Sequence, residues 1–445
     1  MKFIGSSKCK EKIYFVGIGG IGVSALAQWY QSEGWSVSGS DAARSVVTNE
    51  LKKRGIRAYI GRQTGKWVPK EASLLIYSAA VPKDHPERIR ARRLGIRQLS
   101  YAEALGELTK RYKTIAVAGA HGKSTTTAMV ALMLIGAGFD PAVIIGTRLK
   151  EFGGTNFRKG KSEWLVIEAD EYHRSFLEYR PYAAIVTNID REHLEYYKNF
   201  SNIKQAFKKF ISHVDSEGFV VINGDDAAMA SLKIAAPAKI TRYRLRDNAS
   251  KIIKQILRVP GAHNLSNALA CDKLGELLGV KAAVRRKALA NFRGTWRRFE
   301  FKGIFRGARF YDDYAHHPTE VRATLAGARE LFPKRRIFCV FQPHHSDRLR
   351  LLFSEFLGSF SDTDRLIILE TYKVKGREGQ DDPRRNAAAL AIGLSGKLPA
   401  IYAIDHKAAF RLLRREIRKN DVVIIMGAGD IWKISQKLLK IKSNP

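Results

Sequence analysis

Cysteine is scarce in this chain. Cys9, Cys271 and Cys339 are the only three, far apart, and none stands at the short spacing of a disulfide scaffold or a zinc knuckle. Reduced thiols and a cytoplasmic setting are expected. Long apolar runs are missing too: nothing approaches the roughly 18 residues of a membrane-spanning helix, so no membrane partner is expected. The basic-then-apolar start, MKFIGSSKCKEKIYFVGIGG, reads as the approach to a first strand rather than as an export signal. Internal repeats and low-complexity stretches are absent. Acidic side chains are few beside the basic ones, 43 against 77, for a net charge of +34. Basic residues crowd Arg88–Arg97, Arg411–Lys419 and Lys433–Lys442, yet they also run through the whole length and accompany no recognised nucleic-acid module. No nucleic-acid partner is expected, and the same field draws in acidic substrates.

What is present is an ordinary globular composition, 45% hydrophobic and 27% charged over 445 residues, enough for two to four domains. Apolar strand-like runs alternate with helix-like stretches almost throughout, the pattern of parallel sheets with helical crossovers. Three blocks emerge, 1–105, 106–293 and 294–445. Strands are expected near Ile13–Val16, Trp35–Ser40, Arg57–Ile60 and Leu74–Tyr77, then Thr114–Ala118, Trp164–Ile167, Ala183–Thr187 and Phe219–Ile222. The last block adds Arg309–Tyr311, Ile337–Phe341, Leu366–Leu369, Ala400–Ala403 and Val422–Met426.

The most informative stretch is Ala116–Ser124, AVAGAHGKS. An apolar strand runs into Gly119-Ala120-His121-Gly122-Lys123-Ser124, and a helix is expected from Thr125. Such a turn aims backbone N–H groups and a positive helix end at an anion. Lys123 can reach the β- and γ-phosphates of a nucleotide, and the Ser124 hydroxyl can ligate Mg²⁺. Val117 stands where the full phosphate-loop pattern has glycine, so the loop is shortened.

A second glycine motif lies upstream. Gly17, Gly19 and Gly22 fit G-x-G-x-x-G, with Gly20 inside it, and Asp41 closes the next strand at the distance dinucleotide sites require. Taken alone, the motif is either a pyrophosphate site or a tight strand–helix turn. Taken with the first loop, it implies that one chain holds two phosphorylated ligands.

Acids and histidines gather at other strand ends. WLVIE ends at Glu168 and continues Ala169-Asp170-Glu171; AAIVTN leads through Asp190 to His193. Both positions face the crevice of an open α/β sheet, and Glu168 with His193 makes a candidate Mg²⁺ pair. Asp312-Asp313-Tyr314-Ala315-His316-His317-Pro318 and Phe341-Gln342-Pro343-His344-His345-Ser346-Asp347-Arg348 occupy equivalent places. Neither has transition-metal spacing, so both read as polar contacts to ligands.

These pieces, in this order, resemble the Mur ligase family, which builds the peptide of the bacterial cell-wall precursor. GIGGIG with SGSD, the G-x-x-G-K-S loop, EADE, TNI with His193, PGAHN at Pro260–Asn264, TWRRFE around Arg298, DDYAHHPTE and GAGD at Gly427–Asp430 carry the resemblance over essentially the whole chain. It implies an α/β fold in three domains: an N-terminal Rossmann-like domain, a central mostly parallel sheet of the phosphate-loop ATPase type, and a C-terminal Rossmann-like domain. FQPH at Phe341–His344 favours the member that adds L-alanine to UDP-N-acetylmuramate over the tripeptide-recycling relative. The implied chemistry is ATP-dependent phosphorylation of the lactyl carboxylate, then attack of the alanine amine on the acyl phosphate.

The resemblance also assigns roles. Gly17, Gly19, Gly20, Gly22 and Asp41 would hold the UDP group. Gly119, His121, Gly122, Lys123, Ser124 and Thr125 would hold ATP, with Ser124, Glu168 and His193 on Mg²⁺. His263, Asn264, Arg298 and Asp313 would meet the rest of the nucleotide, and His316, His344 and Arg348 the amino acid. Lys123, Glu168, His193 and Arg298 would carry the chemistry. The chain departs from the family at Ala120, usually threonine, at His345, often arginine, and at Ala262; the segment Arg244–Val259 is short. Glycine or serine could therefore replace alanine. A nicotinamide-dependent dehydrogenase, resting on the first glycine loop alone, leaves Lys123, Glu168 and Arg298 without a task. The resemblance leaves monomer and homodimer both open.

Overall fold

Three sheets follow one another along the chain, and the computed structural model describes residues 11–373 and 379–441 of it. Cys9 and Lys442, both named above, lie outside the described residues. The first sheet has five parallel strands, β1 (Lys12–Val16), β2 (Ser36–Asp41), β3 (Arg57–Ile60), β4 (Ala72–Tyr77) and β5 (Arg97–Ser100), in the order β3-β2-β1-β4-β5. Ile13–Val16 of β1 is fully buried, as a strand covered on both faces must be. The order reverses between β1 and β4, so their carboxyl ends open the crevice where such sheets take ligands.

The second sheet has seven strands: β6 (Lys113–Ala118), β7 (Ala142–Leu149), β8 (Thr155–Arg158), β9 (Trp164–Glu168), β10 (Ala183–Val186), β11 (Phe219–Asn223) and β12 (Lys239–Tyr243). Their order is β12-β11-β10-β6-β9-β7-β8, parallel except for the β7–β8 pair. Central β6 runs into the helix Lys123–Gly136, whose TTTAMVALML stretch is apolar on most sides and correspondingly buried.

The third sheet holds β13 (Glu300–Phe305), β14 (Ala308–Asp313), β15 (Ile337–Phe341), β16 (Arg365–Leu369), β17 (Ala400–Ala403) and β18 (Val422–Met426), in the order β13-β14-β18-β15-β16-β17. Only the β13–β14 hairpin is antiparallel. Its two faces bury separate cores. On β15, Ile337, Cys339 and Phe341 enter one, and Phe338 and Val340 the other. The first two sheets belong to one compact unit, with Asn199–Arg244 and Ala268–Leu289; the third belongs to a second unit, with Glu192–Lys198 and Leu245–Asn267.

The structure adds strands that the sequence pattern does not announce. β5 (RQLS) offers a single buried leucine, β8 and β12 are short and polar, and β13 is an edge strand with Phe301 and Ile304 exposed. The apolar run of β7 is broken by Gly146, for a reason given below. The helix after the phosphate loop starts at Lys123 rather than Thr125, because Gly122, at φ +83°, turns the chain straight into its first turn. Cys271 and Cys339 are free and buried, and burial pushes both thiols up. Among the described residues, no helix is long and apolar enough to cross a membrane.

Candidate active site

The loop between β6 and its helix is strapped from the side by the chain that leaves β10. Gly119 takes φ +138°, and a Cβ there would lie 2.0 Å from the Thr187 hydroxyl, so no larger residue fits. The His121 N–H donates to Asn188 Oδ1 (2.8 Å), and the His121 carbonyl accepts from Thr187 Oγ1 (2.6 Å) and Asn188 Nδ2 (3.0 Å). Ala120 N–H donates to the Asn188 carbonyl, and His121 Nε2 lies 2.8 Å from Asp190 Oδ2. The loop is thereby preformed. Its helix presents the first-turn N–H groups of Lys123, Ser124 and Thr125, which have no partner within a helix.

Lys123 Nζ donates to the carbonyls of Gly119 (2.7 Å) and Ala120 (3.2 Å) and to Glu171 Oε2 (2.7 Å). Burial by itself would lower its pKa, but Glu171, Asp170 and Glu168 outweigh that and hold the ammonium well above its ordinary value. Ser124 Oγ donates to Glu168 Oε1 at 3.0 Å, so these two expected metal ligands are brought together. The other oxygen of Glu168 accepts the Gly146 N–H at 2.8 Å, and a Cβ at Gly146 would stand 2.6 Å from it. Glu171, Asn188 and Gly146 all position this site; Asn188 lies in TNI without an assigned role, and Gly146 lies in no motif. Glu171 sits inside EADE, but only its pairing with Lys123 separates it from Asp170, which is exposed.

The upstream loop is built on the same logic. Gly17 and Ile18 N–H both donate to the Ser40 carbonyl, and Gly20 N–H to Gly17 O. Gly19 N–H donates to Asp41 Oδ2 at 2.8 Å, with a notional Gly19 Cβ only 2.7 Å from that oxygen. Gly17, Gly19 and Gly20 therefore shape the loop instead of offering donors outward. The N–H groups left for an anion are those of the first turn, Ile21, Gly22 and Val23, opening the helix Ile21–Ser32 behind an N-cap glycine with no capping side chain. Asp41 spends its carboxylate on the loop. That counts against the dehydrogenase reading, in which this acid binds a ribose.

The second unit gathers the remaining candidates. Arg297, at φ +56°, sends its guanidinium to the carbonyls of Gly427, Ala428 (3.3 Å) and Gly429 (3.0 Å), which ties TWRR to GAGD. Arg298 lies over the Tyr314 ring, 5.1 Å from its centre, with Nη1 3.5 Å from Glu320 Oε1. Asp313 is buried and accepts from Phe299 N–H (2.7 Å) and Ala315 N–H (2.8 Å), and desolvation raises its pKa. Asn264 donates to the Pro260 carbonyl at 2.7 Å, and its neighbour His263 is exposed on the first turn of the helix Ala262–Leu277.

His316, His344 and Arg348 are brought together. The His316 and His344 rings meet edge-on at 5.7 Å, and His344 stacks on Tyr372. Arg348 donates to the His344 carbonyl (3.1 Å) and to Glu192 Oε2 (2.9 Å). Burial, then His316 and Arg348, push His344 down to about 2, so its ring is neutral at any working pH. Burial would raise the Glu192 pKa, but Arg348 and the surrounding histidines hold it well below the carboxylate range. Glu192 is a further site residue that no motif marks. His193, at φ +55°, belongs to the same unit, with Nδ1 3.5 Å from Glu195 Oε1. His345, where the family often has arginine, takes φ +77° and donates its N–H to the Tyr372 carbonyl.

Three family models cover the chain in succession: the Mur ligase family catalytic domain over residues 12–113, the Mur ligase middle domain over 117–259, and the Mur ligase glutamate ligase domain over 297–429. The chain belongs to the Mur ligase family. Among its relatives, the UDP-N-acetylmuramate–L-alanine ligase of Aquifex aeolicus is 38% identical over 97% of each chain. That of Acetivibrio thermocellus is 39% identical, over 97% of this chain and 96% of its own. The crystal structure of UDP-N-acetylmuramate–alanine ligase from Thermotoga maritima superposes with a TM-score of 0.81 at 29% identity, covering 96% of this chain and 98% of the other. A murein peptide ligase from Psychrobacter arcticus, at 22% identity and a TM-score of 0.70, shares the fold. The three-sheet α/β architecture expected from the resemblance is thus the Mur ligase architecture.

Proposed function

We infer that this chain is an ATP-dependent amide-forming ligase that joins L-alanine to the lactyl carboxylate of UDP-N-acetylmuramate, releasing ADP and phosphate, in peptidoglycan precursor synthesis. The observation that carries this reading is the pair of preformed anion-binding helix starts in one compact unit, at Ile21 and at Lys123. Only the second is furnished with a lysine paired to a buried glutamate and with a Ser124–Glu168 pair. A dehydrogenase needs one such loop. A ligase that activates a nucleotide-linked acid with ATP needs two.

In this reading residues 1–105 take the UDP group, 106–293 the ATP phosphates, and 294–445 the rest of the nucleotide and the amino acid. A carboxylate is a poor electrophile because its leaving group is oxide, and transfer of the terminal phosphoryl group supplies a better one. Lys123 neutralises the charge of the phosphates as they meet the lactyl carboxylate. The loop N–H groups fix the phosphate chain in place, and positioning of this kind is worth on the order of 7–11 kcal/mol. Ser124 and Glu168 are hard oxygen donors 3.0 Å apart, a set that suits Mg²⁺. When bound, the ion would neutralise the phosphate oxygens. The alanine carboxylate pairs with Arg348 and its amine faces the neutral His344, which accepts a hydrogen bond without repelling it. The protein works in the cytoplasm as a monomer or homodimer.

Phosphate release from ATP, measured over a panel of amino acids, tests the reading. Release is expected only with UDP-N-acetylmuramate and L-alanine, or the close analogues glycine and serine, present together. Release with a preformed tripeptide and not with alanine would replace it by the recycling reaction.

A further inference from the structure

Tyr101 has no role in the account so far. It opens the helix Tyr101–Thr109, which is anchored by a capping box in which Ser100 Oγ accepts from Glu103 N–H and Glu103 returns a bond to Ser100 N–H. The phenol is thus rigidly placed, and it reaches the other glycine loop. A Cβ built on Gly22 would lie 2.7 Å from the Tyr101 hydroxyl and 2.8 Å from the carbon that bears it. Gly22 is therefore glycine because Tyr101 lies against it. The hydroxyl makes no hydrogen bond among the described residues, although it stands beside the one turn of the loop whose N–H groups are not consumed internally. Burial and the negative charges of Glu168 and Asp170 raise its pKa, so the phenol stays protonated and can act only as a donor toward an anion.

We propose that the Tyr101 hydroxyl donates a hydrogen bond to the diphosphate of the nucleotide sugar, completing the anion site formed by the Ile21 and Gly22 N–H groups. The inference rests on the reading that the first sheet holds a UDP group, and it adds to it a side chain from the segment that leads into the phosphate loop. A backbone-only site recognises any compact anion. A fixed phenol on one side adds direction, and removing it leaves the loop geometry untouched.

The test uses UDP as the probe and uridine, which lacks the phosphates, as its control, with calorimetric binding to the intact protein. Tyr101→Phe keeps the ring against Gly22 and removes only the donor. UDP affinity is expected to fall about ten- to a hundredfold, the range for a hydrogen bond to a charged group, with uridine binding unchanged. Gly22→Ala is expected to weaken UDP binding as well. Unchanged UDP affinity in Tyr101→Phe, or an equal loss for uridine, would overturn the proposal and leave the UDP reading standing. A wild-type protein that binds no UDP would overturn both.

Discussion

Glu171→Gln isolates the pair on which the phosphate loop rests. Glu171 is 2% exposed and its partner Lys123 14%, with 2.7 Å between Oε2 and Nζ, so water screens this pair little. Breaking a buried pair by removing one charge typically costs about 3–5 kcal/mol. Lys123 keeps two carbonyl acceptors, Gly119 and Ala120, and a glutamine can still accept one bond. The loss is therefore placed lower, at about 2–3 kcal/mol. Lys123→Met removes the other half, and the double variant closes a cycle. Urea unfolding followed by tryptophan fluorescence gives all three values. The coupling is expected to be at least about 1 kcal/mol, with the double variant more stable than the sum of the singles implies. Strict additivity, or a Glu171→Gln protein with the wild-type midpoint, would show that the loop stands on its strap from Thr187 and Asn188 and not on this ion pair.

Lys123→Ala is expected to abolish phosphate release while UDP-N-acetylmuramate binding, followed by calorimetry, changes less than about twofold, since the two anion sites use different loops. Gly146→Ala would drive a methyl group into Glu168 Oε2; the magnesium concentration needed for half-maximal rate is expected to rise about tenfold or more, read from a magnesium titration of activity. Asp312 is buried and its pKa is pushed up to about 6, chiefly by desolvation. Its neutral form favours the fold, so this contribution is whole below the unfolded carboxyl value near 4 and is lost as pH rises to about 6, a total of about 3 kcal/mol. Asp312→Asn keeps an acceptor for Ser435 Oγ and is expected to flatten the stability profile between those pH values, leaving the variant more stable than wild type at pH 7 in thermal melts.

The local motifs were legible because each is a short-range steric demand. Gly119 and Gly122 need backbone angles that other residues avoid, and Lys123 and Ser124 follow them at fixed spacing. Ser124 and Glu168 could be paired from sequence because strand ends in a parallel sheet face one crevice. Gly146, Glu171, Asn188 and Glu192 were not legible, since each acts on a partner that is close only after the strands have taken their order. Gly17, Gly19 and Gly20 were read as ligand contacts, whereas their N–H groups are spent inside the loop.

The amino-acid sequence alone determined the alternation of strands and helices, the two glycine turns and the family, because periodicity and steric exceptions are written residue by residue. Tertiary structure decided which carboxylate neutralises Lys123, which glycine makes room for Glu168, and which N–H groups stay open to an anion. Those outcomes depend on distances of about 3 Å between residues that stand tens of positions apart in the chain, and packing alone sets such distances.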